Sequence, residues 1–232
     1  MAEKYYGISP YAYCAGDPVN CVDPTGEDAY YVDSLGNVIL AKKTDDDYDE
    51  LYATDGSSVK VEDRSVLPEL SGLGYTNSYM NQFDLFCFLG DHTSIEWALA
   101  RYNDGEQTLV RGTGEDYCYT GTAPYLTSFN EVSGREVTDM IVYMHSHPDK
   151  AIPSGNYIND KYPGQKQITG NNGIVYSVWA TRYGDQSNYS KLSNVLKKTI
   201  HLVYCKGVVR QYTDQYIDKP MSRGFCNKRY FK

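Results

Sequence analysis

Apolar and polar positions alternate along much of this chain in short runs that read as strands. In Met140-Ile-Val-Tyr-Met-His-Ser-His-Pro-Asp149 the apolar run closes on two histidines one residue apart. Alternate side chains of a strand share a face, which predicts Ile141, Tyr143, His145 and His147 on one side and Val142, Met144 and Ser146 on the other. Pro148 cannot donate to a ladder, so it ends the strand and leaves both imidazoles near an open edge. Upstream, Asn103-Asp-Gly105 separates two apolar runs and predicts a hairpin with Glu96 on its first strand, on the face of Ala98 and Ala100. His92 falls in the loop before that strand, where a lone histidine has many roles other than metal binding.

The rest of the chain follows the same logic. Tyr30-Tyr-Val32, Val38-Ile-Leu-Ala41 and Leu51-Tyr-Ala53 predict a small β meander, with the acidic run Asp45 to Glu50 as a solvated turn. Pro68, Gly72 and Gly74 punctuate a boundary, and Asn81 to Gly90 reads as a short apolar helix stopped by glycine. Lys150 to Gly164 is a loop by its proline and glycine content, and Gly173 to Tyr183 is a further strand. Tyr189 to Ile200 has helical spacing, and Leu202 to Cys205, a Lys206-Gly207 turn and Val208 to Tyr212 make a last hairpin.

Composition narrows the function. The chain has 232 residues, enough for one main domain and a smaller appendage. A net charge of -8 disfavours nucleic acid and anionic membrane surfaces as partners, and neither is expected. Tyrosine outnumbers phenylalanine 24 to 6, which suits strands and turns whose aromatics keep a polar end in water. The 6 cysteines form no Cys-x-x-Cys pair, which argues against a cysteine zinc cluster. The start, Met1-Ala-Glu-Lys-Tyr-Tyr6, carries no apolar core segment and reads as no signal peptide.

The candidate chemistry is that of a strand-and-loop zinc site. Catalytic zinc takes three protein ligands and leaves a position for water. His145, His147 and Asp160 supply two imidazoles and a carboxylate, Glu96 a base on a separate strand, and Ser154 a hydrogen-bond donor for a tetrahedral oxyanion. The His-Glu-x-x-His helix of common zinc proteases is absent, as is the zinc-deaminase pattern.

Two resemblances give this constellation a setting. Ser9-Pro-Tyr-Ala-Tyr13, Asp17-Pro-Val-Asn20 and Asp23-Pro-Thr-Gly26 resemble the end of an RHS repeat-associated core, which implies that the chain after Gly26 is the cargo of an RHS-type polymorphic toxin. Thr93-Ser-Ile-Glu-Trp97, His145-Ser-His-Pro148, Ser154-Gly155 and Asp160 resemble the JAB/JAMM zinc metallopeptidases, in particular the JAB-like toxin domains found behind RHS cores. That likeness implies Glu96 as acid/base, His145, His147 and Asp160 as ligands of Zn2+, and Ser154 at the oxyanion. The family's Ser-x-x-Asp spacing falls on Tyr157, so Asp160 is the next acid along and Asp149 its competitor.

The implied fold is α/β (α+β), a JAB/JAMM-like cytidine-deaminase-type mixed sheet flanked by helices. Residues 1–26 would be the RHS-core tail, 27–66 the meander or linker, and 67–232 the metallopeptidase domain. The implied activity is hydrolysis of a peptide or isopeptide bond. Its substrate would be a protein or peptide, including ubiquitin-like conjugates or peptide-linked polymers; an immunity protein would be a partner, and the location that of an exported RHS-type protein. The alternatives are a catalytically inactive JAB-fold binding or structural module, and a zinc that is structural.

Overall fold

The computed structural model describes residues 28–43, 47–112, 134–148, 165–169, 175–179, 185, 189, 196–213 and 217–232. The architecture is α+β, built around a seven-stranded mixed sheet. Its strands are β5 (Tyr75–Ser78), β6 (Trp97–Tyr102), β7 (Gln107–Arg111), β8 (Met140–Ser146), β11 (Ile200–Cys205), β12 (Val208–Gln211) and β13 (Met221–Ser222). They lie in the order β13-β12-β11-β8-β6-β7-β5. Only the β8–β11 pair is parallel; the rest are antiparallel, as the hairpin signals imply. A separate hairpin pairs β9 (Gln165–Thr169) with β10 (Val175–Trp179).

A smaller sheet combines β1 (Asp28–Val32), β2 (Val38–Lys42), β3 (Asp49–Tyr52) and β4 (Ser58–Val61) in the order β2-β1-β3-β4. It holds the expected strands but is not a simple meander, because β1 and β3 pair in parallel at its centre. Asp49 is therefore no part of a solvated turn. It is buried at the start of β3, beside Asp28 and paired with Arg64 at 3.4 Å. Burial and the neighbouring Asp28 carboxylate push its carboxyl up, against the Arg64 guanidinium, which lowers it.

Two helices close the core. α1 (Val66–Leu73) takes Pro68 in its first turn, where the backbone N–H has no intrahelical acceptor to lose, and Gly74 ends it at φ 75 in the left-handed region. The proline and glycines that read as a boundary thus lie within and just after a helix. α2 (Phe83–His92) buries Phe83, Leu85, Phe86, Cys87, Phe88, Leu89 and Gly90, because it packs on β4 of the small sheet and on β6 and β11 of the large one. Enclosure on both sides suits a helix apolar nearly all round, and each buried Leu or Phe contributes roughly 1.5–3 kcal/mol.

Gly90 does not stop α2, which runs on to His92. A Cβ at Gly90 would stand 2.9 Å from Ser146 Cβ and 3.4 Å from Tyr204 Cδ1, so glycine here lets the helix approach β8 and β11. One face of the large sheet, with Trp97, Leu99, Val142, Met144 and Leu202, joins α2 and the small sheet in the main core. The opposite face carries Ala98, Ala100, Tyr143, Tyr189, Val203 and Tyr212 in a second cluster. A short helix α3 (Arg223–Cys226) leads into the final turns. No helix among the described residues is long and apolar enough to cross a membrane.

Candidate metal centre

Strand β8 delivers the histidines as its alternation requires. Val142 and Met144 enter the main core, whereas Tyr143 and His145 lie on the other face with their rings 5.8 Å apart. His147 is just past the strand, yet its backbone stays held, its N–H donating to the carbonyl of Tyr204 on β11 at 2.8 Å.

Register places the carboxylate. Ala98 on β6 pairs with His145, so the antiparallel arrangement sets Trp97 opposite Ser146 and Glu96 opposite His147. Glu96 directly precedes β6, and its carbonyl accepts from the Gly112 N–H at 2.9 Å, continuing the hairpin pairing. Across from it the Trp97 N–H donates to Ser146 Oγ at 2.8 Å, and the indole N–H donates to Thr93 Oγ1 at 2.9 Å. Glu96 Oε1 comes to 3.6 Å from His147 Nε2.

A third donor arrives from far downstream. Asp185 Oδ2 lies 3.3 Å from His145 Nε2 and 3.4 Å from His147 Nε2, and the two Nε2 atoms are 3.0 Å apart. His145 is 1% exposed and Asp185 3%, so bulk water does not separate these atoms. Burial raises the Asp185 carboxyl, but the electrostatic pull and hydrogen bonding of the neighbouring His145 and His147 rings outweigh it and hold the group well below the usual carboxylate range.

The donor set fits a metal ion. Ligands about 2.0–2.1 Å from a tetrahedral centre stand roughly 3.3 Å from one another, close to all three edges of this triangle. Two imidazole lone pairs and a carboxylate converging at such range call for a cation, and a single proton can bridge only one edge. His145, His147 and Asp185 form the group among the described residues that could hold a metal ion.

The structure thus brings Glu96, His145 and His147 together. Ser154, Asp160 and the competitor Asp149 lie outside the described residues, as does the RHS-like stretch 1–26. Asp185 was not singled out from the sequence, although one signal pointed to it. It is helical and stands four residues before the helical Tyr189, so extending the helical spacing of that segment back one turn puts both on one face. His92 is not in a loop and not at the site; it ends α2 against Phe88, 3.4 Å from Asp55 and 3.2 Å from Ser57.

The family model for JAB-like toxin 1 matches residues 74–190, just over half of the 232-residue chain. The chain belongs to the JAB-like toxin 1 family. The matched stretch of this JAB-like toxin contains Glu96, His145, His147 and Asp185, and the mixed α+β architecture agrees with a JAB-like fold. No curated protein and no solved structure matches the chain.

Proposed function

We propose that this JAB-like toxin is a zinc-dependent hydrolase of peptide or isopeptide bonds. The observation that carries the reading is the convergence of His145, His147 and Asp185 on one point, with a separate carboxylate, Glu96, opposite His147. Two imidazoles and one carboxylate are a donor set that zinc accepts in catalytic sites, where a fourth position is left for water. Zinc held there supplies Lewis acidity and lowers the pKa of water to about 7. Glu96 lies 3.6 Å from His147 Nε2 and is not one of the three converging donors, so its role would be to take the proton of the attacking water and return it to the leaving nitrogen. Asp185 takes the ligand role that the family resemblance gave to Asp160. Ser154 keeps its proposed role as donor to the oxyanion.

The substrate class follows from the reaction: a protein or peptide, with ubiquitin-like conjugates and peptide-linked polymers as candidates. The RHS-like order of residues 9–26 supports a setting as exported cargo of an RHS-type protein, with a separate immunity protein as partner. Metal analysis and a peptidase and isopeptidase panel test the reading together. Zinc near one equivalent, lost in His145→Ala and bound more weakly in Asp185→Ala, is expected. Glu96→Ala should keep the zinc and lose chelator-sensitive cleavage. Absence of zinc refutes the site, and cleavage that persists unchanged in Glu96→Ala refutes the mechanism. Zinc retained with no cleavage by the wild type across the panel would favour an inactive, structural site.

A further inference from the structure

We propose that Tyr189 and His201 are positioning residues for the third donor, an inference that rests on reading the His145, His147 and Asp185 triangle as a metal site. The two histidines come from β8 and its direct continuation, whose place is set by ladders on both sides. Asp185 has no such ladder. It is helical, and something must hold it against the sheet for Oδ2 to reach both imidazoles.

Tyr189 supplies the hold. It is helical and stands four residues beyond the helical Asp185, a spacing that favours one face for both side chains. Its ring meets His201 edge to face, with centroids 4.8 Å apart and planes at 83°, the geometry that aromatic quadrupoles favour. A second edge contact reaches Tyr212 at 6.4 Å, and the Tyr189 hydroxyl donates to the carbonyl of Lys197 at 3.1 Å. Tyr189 is thus held by two rings and one backbone carbonyl.

His201 ties that contact to the site. It sits on β11 in register with Tyr143, the residue two before His145, and their rings are 5.6 Å apart. Tyr143 in turn touches His145. Rings therefore run continuously from the Asp185 segment, through His201 and Tyr143, to the first ligand. His201 is buried and is not one of the three converging donors.

The test is zinc affinity of the full chain by chelator competition, with the visible spectrum of the cobalt-substituted protein as a signature of the ligand set. Partners that orient ligands typically contribute about 10–100-fold in metal affinity. Tyr189→Ala and His201→Ala should each lose affinity in that range and shift the cobalt spectrum toward that of Asp185→Ala. Tyr189→Phe, which keeps the ring, should restore wild-type affinity. In the Asp185→Ala background, Tyr189→Ala should cause no further loss, because its effect runs through Asp185. Should Tyr189→Ala fail to fold, Tyr189→Leu, which keeps most of the volume without the aromatic edge, takes its place.

Wild-type affinity in Tyr189→Ala or Tyr189→Leu overturns the inference, as does an equal further loss in the Asp185→Ala background. The underlying reading fails differently: wild type and His145→Ala would then bind zinc equally weakly.

Discussion

Ser146→Ala tests how the base is fixed opposite the second histidine. Ser146 is 0% exposed, and its Oγ accepts the Trp97 N–H at 2.8 Å, one step beyond the last ladder pair between Ala98 and His145. Alanine keeps the Cβ that packs on Gly90 and removes only the oxygen, so the void is small. What changes is that a buried N–H loses its acceptor, and the desolvation of such a group costs about 1–3 kcal/mol. That corresponds to roughly a 5- to 150-fold shift in the folding equilibrium. Urea unfolding followed by tryptophan fluorescence, with chelator present so that metal does not add to stability, should show a lower midpoint at unchanged slope. Zinc affinity should stay near wild type, since no donor atom moves. A stability change under about 0.5 kcal/mol would refute the argument, because it would mean the N–H finds another partner.

Three further outcomes follow from the same contacts. Gly90→Ala should lower the melting temperature, because its Cβ would stand 2.9 Å from Ser146 Cβ and overpacking costs about 1–3 kcal/mol, more than the roughly 1 kcal/mol that alanine gains over glycine in helix propensity; a rise in circular-dichroism melts would contradict this. Gly36→Ala should also destabilise, since φ is 73 and a Cβ would press on Ile95 Cδ1; unchanged thermal unfolding would show that this turn relaxes freely. Burial raises the Asp63 carboxyl, but hydrogen bonds from the side chains of Ser78 and Ser65 and the Ser65 N–H outweigh it and hold the group below its ordinary 3.8. A depressed folded-state value contributes stability above pH 3.8 that is lost as pH falls through the folded value, so the gap between wild type and Asp63→Asn should be widest at pH 7 and close in acid. A gap independent of pH would exclude that linkage.

What the sequence made legible are the features enforced by local geometry. Alternation in Met140 to Ser146 sorted the two faces of β8, and Asp104-Gly105 and Lys206-Gly207 marked turns that the structure closes with Lys206 at φ 45 and Gly207 at φ 82. Local signals failed where tertiary contact decides. Pro68 read as a breaker but occupies a first turn that tolerates it, and Gly90 read as a stop but serves a close helix approach to the sheet. Ile200 fitted a helical period, yet it opens β11 because pairing with Val142 on β8 outweighs local spacing. The parallel pairing of β1 with β3 carries no signature in either strand alone, and it is what buries Asp49.

The candidate site divides along the same line, and the division has an energetic consequence. The histidines were legible from alternation in one strand and Glu96 from its hairpin and the family resemblance, and the register that pairs Ala98 with His145 sets Glu96 against His147. Asp185 was not legible, because its approach depends on Tyr189 docking across the sheet onto His201. The Ser146 joint faces the main core with Trp97 and Gly90, whereas the Tyr189 contact belongs to the second cluster on the opposite face. Two supports on opposite faces should act independently. Loss of the first should weaken folding and displace the base while zinc stays bound; loss of the second should weaken zinc while the hairpin that carries Glu96 stays intact. Strong coupling of Ser146→Ala with Tyr189→Ala in zinc affinity would therefore show that base and third ligand are held by one mechanical unit, contrary to the two separate anchors argued from these contacts.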